Sequence, residues 1–464
     1  LSHVSFTIPY GKKVALVGSS GSGKSTITKL LLKYYEPESG TISVGGVDLD
    51  EYSNASVRRA IAYVPQNVEL FSKTIYDNIR ISRPEASLDE VKAAAKKADA
   101  HEFIRKLPLQ YNTYLEEAGN GLSGGEKQKI AFSSVYASAP DVLVFDEPSS
   151  NLDMKAIGEL ADLIQRAKIS GKTILIAEHR IWYLMDIVDR VVYMQDGRIA
   201  SDMEASAFKA LPEADIRRMG LRVRDLSVSE SGGVKTIAAD GLLSAQKISV
   251  RLGGRNVLND ISFQASRGEI IAIAGVNGAG KSTLARMLCG LQKTGSGTVL
   301  WAGKPMSRRL RRKKAYMVMQ DVGHQLFTDS VAAECALGIK APNKDEIDCA
   351  LEKVNLLAYK ERHPLSLSGG QMQRLAVVVS DICGKELLVF DEPTSGLDLK
   401  SMEEVGALTR SLATQGKVLL IITHDIEFMM RICTRILFIR DGEIVKDLSD
   451  GQKEKIVRLL RGEE

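Results

Sequence analysis

Short apolar runs recur along this chain and alternate with longer segments in which apolar residues repeat at helical spacing. The clearest runs, each of strand length, are residues 14–17, 142–145, 173–177, 270–274, 387–390 and 418–423. Nearly continuous apolar strands are typical of a parallel sheet that is buried on both faces. The pattern therefore predicts an α/β fold in which each half has a mostly parallel sheet with flanking helices.

The segments between these strands add helices and one charged run. Residues 27–32 follow the first strand with helical spacing, and residues 87–107, rich in Ala, Lys and Glu, predict part of a helical subdomain. The strongly basic residues 308–314 are expected to form a solvated surface loop, with contact to anionic lipid as the lesser alternative.

The length of the chain, 464 residues, is too great for one hydrophobic core and favours two domains. A polar stretch with Gly and Ser at residues 227–240 is typical of a linker. We therefore predict a first domain over residues 1–222, a linker over 223–242 and a second domain over 243–464. Because the chain starts at Leu1 inside an apparent strand, we expect the first domain to lack its N-terminal edge.

Composition argues against several classes of protein. The net charge of +4 is too small to indicate a nucleic-acid partner by itself. The five cysteines include no pair at C-x-x-C spacing, so they indicate neither a metal site nor a disulfide framework, and a reducing cytosol fits best. No apolar run approaches the ~20 residues that a membrane-spanning helix needs, and no signal peptide is recognisable.

A glycine-rich motif of the form G-x-x-x-x-G-K-[ST] occurs once in each half. Its glycines allow a tight turn that directs N–H groups toward phosphate oxygens, and the next helix adds its positive N-terminal end. We expect the lysine to reach the β and γ phosphates of a nucleotide and the next serine, Ser25 or Ser282, to hold Mg²⁺. A purely structural glycine turn is the alternative, which a full motif after a strand in both halves disfavours. The predicted nucleotide-binding residues are Gly18, Ser19, Gly21, Gly23, Lys24, Ser25, Thr26, Gly275, Asn277, Gly278, Gly280, Lys281, Ser282 and Thr283.

An acidic pair, Asp-Glu followed by Pro, ends an apolar run in each half. Asp146 and Asp391 close a predicted buried strand, where a carboxylate is costly unless it meets a cation, so we expect them to contact Mg²⁺. Glu147 and Glu392 should point the other way and are the predicted general bases that orient the attacking water. Helix-capping acids are the alternative interpretation, and recurrence in both halves disfavours it.

Two more polar positions recur in both halves. His179 and His424 follow the next apolar run, each 32 residues after its glutamate, and we expect them to contact the γ-phosphate. A lone histidine at such a place is more often a packed or surface residue, but the identical offset favours a functional role. Gln66 and Gln320 lie between the phosphate loop and the acidic pair, and they are predicted ligands of the metal and the attacking water.

A Leu-Ser-Gly-Gly motif precedes each acidic pair and is expected to begin a helix whose free N–H groups can bind phosphate. From this motif to the histidine, the two halves match at a constant offset of 245 residues. Because the phosphate loop already covers the nucleotide of its own half, we expect the motif to serve the nucleotide of the other half. Its residues are Ser123, Gly124, Gly125, Ser368, Gly369, Gly370 and Gln371, with Glu126 in the place of Gln371 in the first half.

Each half carries, in this order, a phosphate loop, Gln, Leu-Ser-Gly-Gly, Asp-Glu-Pro, Leu-Asp and His. Over almost all of both halves, this order of motifs resembles the nucleotide-binding domain of ATP-binding cassette (ABC) proteins. The resemblance implies two P-loop domains paired head to tail within the chain, with two Mg-ATP complexes between them. The site of Lys24 would receive Ser368, and the site of Lys281 would receive Ser123. The loops that cross this interface would contain Asp153 and Asp398.

Two segments, residues 319–328 and 176–185, resemble the ATPases of energy-coupling-factor importers, which take up vitamins and metal ions. That resemblance implies a membrane scaffold protein and a substrate-capture protein as partners. Residues 1–120 instead resemble the cassettes of ABC exporters, and the chain is similar to a mosaic joined near Leu122. Residues 71–79 carry much of this second resemblance, as do the phosphate loop from Ser19 to Gly23, residues 111–113, Glu117 and Gly119.

The sequence thus leaves three functional hypotheses. The leading one is a peripheral ATPase at the cytoplasmic face of the plasma membrane that powers an energy-coupling-factor importer. The ATPase portion of an exporter is the alternative that residues 1–120 favour. A soluble ribosome-associated cassette protein is disfavoured, because such proteins usually lack the histidine that both halves carry, so no nucleic-acid partner is expected.

Overall fold

The computed structural model describes residues 1–66, 68–116, 119, 122–150, 152–226 and 241–462. It comprises two compact units, unit 1 (Leu1–Arg224) and unit 2 (Asp225–Glu464), each with its own sheets and apolar core. The predicted linker residues 227–240 lie outside the described residues, as does Glu117. The limits of the two domains and of the linker therefore stay predictions.

Unit 1 has a six-stranded sheet in the order β4-β5-β6-β1-β7-β8, parallel except for β8, and a small β2-β3 hairpin. Its strands are β1 (Lys13–Gly18), β2 (Ser43–Val44), β3 (Val47–Asp48), β4 (Ile61–Val64), β5 (Val142–Asp146), β6 (Thr173–Ala177), β7 (Arg190–Gln195) and β8 (Arg198–Glu204). Its helices are α1 (Lys24–Leu31), α2 (Asn54–Ala60), α3 (Ile75–Ile79), α4 (Leu88–Lys97), α5 (His101–Lys106), α6 (Gly124–Ser138), α7 (Met154–Ile169), α8 (Ala205–Ala210) and α9 (Glu213–Arg218).

Unit 2 repeats this sheet as β14-β15-β16-β11-β17-β18 and adds an antiparallel sheet, β10-β9-β12-β13. Its strands are β9 (Leu243–Leu252), β10 (Arg255–Ala265), β11 (Ile270–Ala274), β12 (Ser296–Trp301), β13 (Lys304–Pro305), β14 (Ala315–Val318), β15 (Leu387–Asp391), β16 (Val418–Ile422), β17 (Arg435–Arg440) and β18 (Glu443–Ser449). Its helices are α10 (Lys281–Leu288), α11 (Arg308–Lys314), α12 (Val331–Ala336), α13 (Lys344–Glu352), α14 (Gly369–Ile382), α15 (Leu399–Thr414), α16 (Ile426–Ile432) and α17 (Lys455–Arg461).

The α/β fold predicted from the apolar runs is confirmed, because the runs form the buried central strands of both sheets. In unit 1, β5, β6 and β1 are adjacent and parallel, and β15, β16 and β11 repeat this in unit 2. Carboxyl ends of adjacent parallel strands meet at one edge of a sheet. The fold therefore brings the phosphate loop, the acidic pair and the histidine of each unit to the same edge.

A helical subdomain also forms in each unit around a separate apolar cluster. In unit 1, Ile75, Val91, Ile104 and Ile130 bring α3, α4, α5 and α6 together. In unit 2, the corresponding cluster joins α12, α13 and α14. The motif helices α6 and α14 thus link each subdomain to the sheet of the same unit.

Two local predictions, for residues 308–314 and for the start of the chain, were wrong, and two helical predictions were confirmed with different bounds. The basic residues 308–314 form a helix rather than a loop, because Ser307 caps it and Arg311 is buried against the unit. Residues 87–107 form two helices, separated at Asp99, which has a φ of 53°. The helix predicted at residues 27–32 begins earlier, at Lys24, directly after the loop. The start of the chain forms no strand, since no ladder joins it to a described strand. Throughout the described ranges, every helix is too short or too polar to cross a bilayer.

Candidate functional site

Each glycine-rich loop joins a central strand to a helix, β1 to α1 in unit 1 and β11 to α10 in unit 2. A β-carbon on Gly18 would lie 2.3 Å from the carbonyl oxygen of Met194, and one on Gly275 would lie 2.1 Å from that of Ile439. Only glycine fits where the strand enters the loop at such distances. Gly23, which caps α1, has a φ of 101°, a conformation that other residues rarely adopt. The loop backbone can therefore approach a phosphate closely at the helix N-terminus.

A buried lysine lies within each loop. In unit 1 the Nζ of Lys24 donates to the carbonyl oxygens of Gly18 at 2.8 Å and of Ser19 at 3.0 Å. Lys281 makes the same pair of contacts in its own loop, at 2.8 and 2.9 Å. An ammonium group is thus held where it can contact an anion bound by the loop. The other predicted nucleotide-binding positions lie in the loops or in the first helical turn: Gly21, Ser25, Thr26, Asn277, Gly278, Gly280, Ser282 and Thr283.

Asp146 ends β5 in unit 1 beside three hydroxyl groups. Its carboxylate accepts hydrogen bonds from Ser25 Oγ at 3.0 Å, Tyr63 OH at 3.2 Å and Thr28 Oγ1 at 3.3 Å. Burial raises the pKa of Asp146, the hydrogen bond from Ser25 opposes this, and the adjacent charge of Glu147 adds to it. A nearby cation would reverse this balance by favouring the charged carboxylate. The hydroxyl and carboxylate oxygens are the donors that Mg²⁺ prefers, so the residues present fit that ion.

Asp391, at the end of β15, has fewer hydroxyl neighbours than Asp146. Burial raises the pKa of Asp391, and a hydrogen bond from Ser282 opposes this shift. The positions that correspond to Thr28 and Tyr63 of unit 1 hold Ala285 and Met317, neither of which has a hydroxyl group. The two units therefore share the serine–aspartate pair suited to Mg²⁺ but differ in the residues around it.

In unit 1, the carboxylate of Glu147 contacts two other predicted catalytic side chains. The Nε2 of His179 lies 3.1 Å from Oε1 of Glu147, and the amide of Gln66 donates to Oε2 of the same carboxylate at 2.9 Å. Glu147 itself has a φ of 47°, and Glu392 of unit 2 has a φ of 50°. A left-handed conformation at the same position in both units is uncommon for a non-glycine residue and is typical of functional sites.

In unit 2, the histidine contacts both the acidic pair and the phosphate loop. The Nε2 of His424 lies 3.5 Å from Oε1 of Glu392 and 3.1 Å from Oδ1 of Asn277. Oε2 of Glu392 accepts a hydrogen bond from Thr423 at 3.3 Å. Gln320, in the position that Gln66 has in unit 1, is exposed after β14. The structure thus brings His424 and Glu392 together with the loop that carries Lys281.

The Leu-Ser-Gly-Gly motifs begin long helices, as the sequence predicted for Ser123 to Gly125 and Ser368 to Gly370. Ser123 caps α6 reciprocally with Glu126: its N–H donates to the Glu126 carboxylate at 2.8 Å, and the Glu126 N–H donates to Oγ of Ser123 at 3.3 Å. Ser368 caps α14 with Gln371 in the same way, at 2.9 and 3.4 Å. The difference between these caps is a negative charge at the start of α6 and a neutral amide at the start of α14.

Asp153 and Asp398, for which the family resemblance implies loops that cross an interface, cap the next helices. The carboxylate of Asp153 accepts from the N–H of Ala156 at 2.9 Å, and that of Asp398 accepts from the N–H of Ser401 at 2.9 Å. Both side chains are buried. Each aspartate therefore fixes the turn that leads from its acidic pair into α7 or α15.

Sequence reasoning missed a buried carboxylate beside each histidine. In unit 1 Glu178, only 2% exposed, accepts from the N–H groups of His179 at 2.8 Å and Arg180 at 3.1 Å, and from Tyr183 OH at 2.8 Å. It also accepts from the N–H of Ser149 at 3.3 Å. Burial, and next the charge of Glu178, raise the pKa of Tyr183 well above its usual range, which keeps its hydroxyl a donor. Glu178 thus ties the histidine loop to the loop after the acidic pair.

In unit 2 the corresponding carboxylate follows the histidine instead of preceding it. Asp425 accepts from Thr394 Oγ1 at 2.9 Å and from the N–H of Phe428 at 3.2 Å, and it caps α16. The signal for both residues was present in the sequence, since an acidic residue is adjacent to the histidine in each half. It was obscured because that residue lies on opposite sides in the two halves.

Comparison with known proteins gives a consistent picture across the chain. A sequence profile described as ABC transporter matches residues 1–150 and 258–395. A Treponema denticola protein named "Putative ABC transporter ATP-binding protein" is 48% identical over 98% of this chain and 95% of its own length. A second protein of that name from the same organism is 36% identical over 96% of this chain and 93% of its own length.

One solved structure, of a bacterial Atm1-family ABC exporter with ATP bound, matches a smaller part of the chain. It covers 46% of this chain and 38% of its own, at 37% identity and a TM-score of 0.43. A TM-score of that size does not by itself indicate a shared fold.

Proposed function

The chain belongs to the ABC transporter family and is an ATP-binding ATPase, and on this premise we propose that it powers an importer of the energy-coupling-factor type. The resemblance of residues 319–328 and 176–185 to the ATPases of such importers supports the proposal. The solute would be a vitamin or a metal ion bound by other proteins. The chain would work at the cytoplasmic face of the plasma membrane, with an integral scaffold protein and a substrate-capture protein.

The observation that carries the proposal of two active sites is the glutamate–histidine pair at the edge of each sheet. The separations are 3.1 Å between His179 and Glu147 and 3.5 Å between His424 and Glu392. In each site the carboxylate would accept a proton from the water that attacks the γ-phosphate, while the histidine contacts that phosphate and holds the carboxylate. Gln66 would help to orient the water, because it already donates to the Glu147 carboxylate.

The metal that these sites fit is Mg²⁺. Ser25 and Asp146 would hold it in unit 1, and Ser282 and Asp391 would hold it in unit 2, with Gln66 and Gln320 as the proposed further ligands. When bound, Mg²⁺ would neutralise charge on the β and γ phosphates. Lys24 and Lys281 would contact the same phosphates from the loop.

Each site would be completed by the motif helix of the other unit. The N-terminus of a helix has free N–H groups and a partial positive charge, which together favour an anion. Ser368, Gly369 and Gly370 would therefore bind the γ-phosphate held by Lys24. The motif that begins at Ser123 would do the same for the site of Lys281. ATP would close this pair of units and hydrolysis would reopen it, a two-state change that a membrane partner can use.

The ATPase portion of an exporter is the second candidate function. It is favoured by the sequence of residues 1–120, whose phosphate loop and residues 71–79 resemble exporter cassettes. The segment after Gln66 is where that membrane partner would contact unit 1. The third hypothesis, a ribosome-associated protein, receives no support, because both units carry the histidine beside the glutamate.

The two-site proposal is tested by substitution of each general base. We expect Glu147→Gln and Glu392→Gln each to lower ATP turnover sharply, since the amide cannot accept the proton, and the double variant to lose roughly 10²–10⁴-fold. Glu443→Gln, at an exposed strand end, is the matched control and should leave turnover unchanged. Full turnover in either single variant would contradict two active sites.

The importer proposal is tested by co-purification. The chain would be expressed together with the membrane proteins encoded beside its gene, and the detergent-solubilised complex would be isolated. Recovery of a scaffold protein with a substrate-capture protein, and ATP-dependent vitamin or metal uptake by the reconstituted complex, would support import. Recovery of a membrane protein that drives ATP-dependent efflux would favour the exporter.

A further inference from the structure

Helix α11 presents four cationic side chains on one face. Arg308, Arg309, Arg312 and Lys313 are all exposed, and their spacing places them within a sector of about 140° around the helix. Arg311, on the other side, is only 5% exposed. We name the four exposed side chains the α11 basic face.

Carboxylates do not balance this face in the part of the chain that the structure describes. Arg308 donates to two backbone carbonyl groups at 2.8 and 2.9 Å. The side chains of Arg309, Arg312 and Lys313 form neither an ion pair nor a hydrogen bond with any described residue. The face therefore carries positive charge that unit 2 leaves uncompensated.

Positive charge at this place also acts on its surroundings. Burial, and next the charge of Arg308, lower the pKa of Arg311. The ammonium group of Lys385 reaches the backbone of the same helix, where it donates to the carbonyl oxygen of Lys313 at 2.7 Å. Like charges four residues apart on a helix repel and reduce its stability. The basic face is thus unfavourable for the isolated unit, and an anionic partner would relieve that repulsion.

The fold itself does not require this charge, as the matching helix of unit 1 demonstrates. Helix α2 precedes edge strand β4 as α11 precedes edge strand β14, and both helices are capped by a serine side chain. Over seven residues, however, α2 has only two cations, Arg58 and Arg59, whereas α11 has six. The excess charge is therefore a property of this sequence and not of the architecture.

We propose that the α11 basic face binds the anionic headgroups of a phospholipid bilayer. Several cations in one sector suit a plane of phosphates, and each adds to the attraction of a negatively charged leaflet. Leu310, 36% exposed beside this sector, could contact the headgroup region as well. Nucleic acid is a poorer match, because the exposed aromatic residues of the described chain lie elsewhere, and none between residues 290 and 318 can stack on a base.

This inference goes beyond the ATPase function, since it requires no nucleotide and no membrane protein. The test is co-sedimentation of the full chain with phosphatidylcholine vesicles, with and without phosphatidylglycerol. We expect binding only to the anionic vesicles and weaker binding at higher salt. Arg309→Gln/Arg312→Gln should reduce the partition coefficient roughly 20- to 30-fold, at about fivefold for each cation.

Matched variants distinguish the loss of charge on this face from misfolding and from a general loss of positive charge. Arg58→Gln/Arg59→Gln in α2 removes the same amount of charge. Its partition coefficient should stay within about twofold of the wild-type value, because those cations lie outside the α11 basic face. Arg309→Lys/Arg312→Lys keeps the charge and should bind as the wild type does. ATP turnover of each variant reports whether the fold is intact, independently of lipid.

Four results would overturn the proposal. The first two are a wild type without preference for anionic vesicles and an Arg309→Gln/Arg312→Gln variant whose vesicle binding is unchanged. The other two are an equal loss of vesicle binding in the α2 variant and a loss of vesicle binding in Arg309→Lys/Arg312→Lys. If Arg309→Gln/Arg312→Gln instead lost affinity for a single-stranded oligonucleotide while vesicle binding stayed unchanged, the face would be assigned to nucleic acid.

Discussion

The histidine loops of the two units hold a buried carboxylate in the same place but take it from opposite sides of the histidine. In unit 1 it is Glu178, which precedes His179, and in unit 2 it is Asp425, which follows His424. Both carboxylates reach the loop after the acidic pair, through the N–H of Ser149 in one unit and the hydroxyl of Thr394 in the other. The difference teaches that both units keep a connection between the two loops although different residues supply it, and we therefore predict that the connection matters more than the residue.

The two solutions also have different local consequences. Asp425 caps α16, so the chain after His424 continues as a helix of seven residues. In unit 1 the residue after His179 is Arg180, and the chain forms a short 3-10 turn at Trp182–Leu184 instead. Both arrangements keep the histidine beside its glutamate, at 3.1 Å in unit 1 and 3.5 Å in unit 2.

The largest effect should come from removing the unit 1 carboxylate. We expect Glu178→Gln to lower single-turnover hydrolysis between about 10-fold and 100-fold when Glu392→Gln silences the other site, because misplaced catalytic groups cost that much. The KM for ATP should change little, since the phosphate loop is untouched. An unchanged rate, or a higher KM at an unchanged rate, would mean that Glu178 does not position His179.

Grafting the unit 2 arrangement into unit 1 is the matched control. The variant Ser149→Thr/Glu178→Thr/Arg180→Asp places a hydroxyl and a carboxylate where unit 2 has them. If the two arrangements are interchangeable, the hydrolysis rate of this triple variant should lie within a few-fold of the rate of the parent chain, which keeps Glu178. If the triple variant hydrolyses ATP no faster than Glu178→Gln, the two arrangements are not interchangeable.

A smaller effect is expected from the caps of the motif helices. Glu126 places a negative charge at the start of α6, where α14 has the neutral Gln371. If the motif of unit 1 completes the site of Lys281, Glu126→Gln should tighten ATP binding there several-fold, since removing a nearby like charge is worth on the order of 1 kcal/mol. Equilibrium binding of a fluorescent ATP analogue to the Glu147→Gln/Glu392→Gln chain measures this, with Gln371→Glu as the reciprocal variant. Weaker binding in Glu126→Gln would contradict the account.

The smallest effect concerns stability without metal. Burial raises the pKa of Asp391, so the folded state binds the proton of this carboxyl group more tightly than the unfolded state does. The stability that the group contributes therefore falls as pH rises above about 4. We therefore expect Asp391→Asn to raise the Tm of the metal-free chain at neutral pH, by about 2–4 °C for each kcal/mol recovered. Asp146→Asn should gain less, because three hydroxyl groups already stabilise that carboxylate. The measurement is thermal unfolding in the presence of EDTA. An equal rise in Tm for both variants, or a lower Tm for Asp391→Asn alone, would contradict this difference.

Much of the fold could be predicted, because its signals are local. Apolar strands such as 173–177 and 270–274 are continuous, and glycine-rich loops follow them at fixed spacing. The basic run 308–314 was predicted wrongly as a loop, because its charge concealed a serine cap and one buried arginine. A helical pattern with six cations in seven residues has no apolar periodicity to reveal it.

The candidate sites were predicted by motif, and the roles of their residues stay predictions. The sequence placed Glu147, His179 and Gln66 in one site, and in the structure the Glu147 carboxylate contacts both His179 and Gln66. Glu178 was missed although an acidic residue adjoins the histidine in each half, because its equivalent in unit 2 has moved by two positions and because its contact with Ser149 spans 29 residues of sequence. Such a contact depends on the packing of two loops, which no local pattern encodes.

The central claim is that each unit completes the nucleotide site of the other, and photolabelling tests it directly. In the Glu147→Gln/Glu392→Gln chain, 8-azido-ATP should label both units after irradiation and proteolysis. With Ser368→Arg added, the account predicts loss of label from peptides of unit 1 and retention in unit 2, because Ser368 would serve the site of Lys24. Loss of label from unit 2 with retention in unit 1 would show that each unit completes its own site, which contradicts the account.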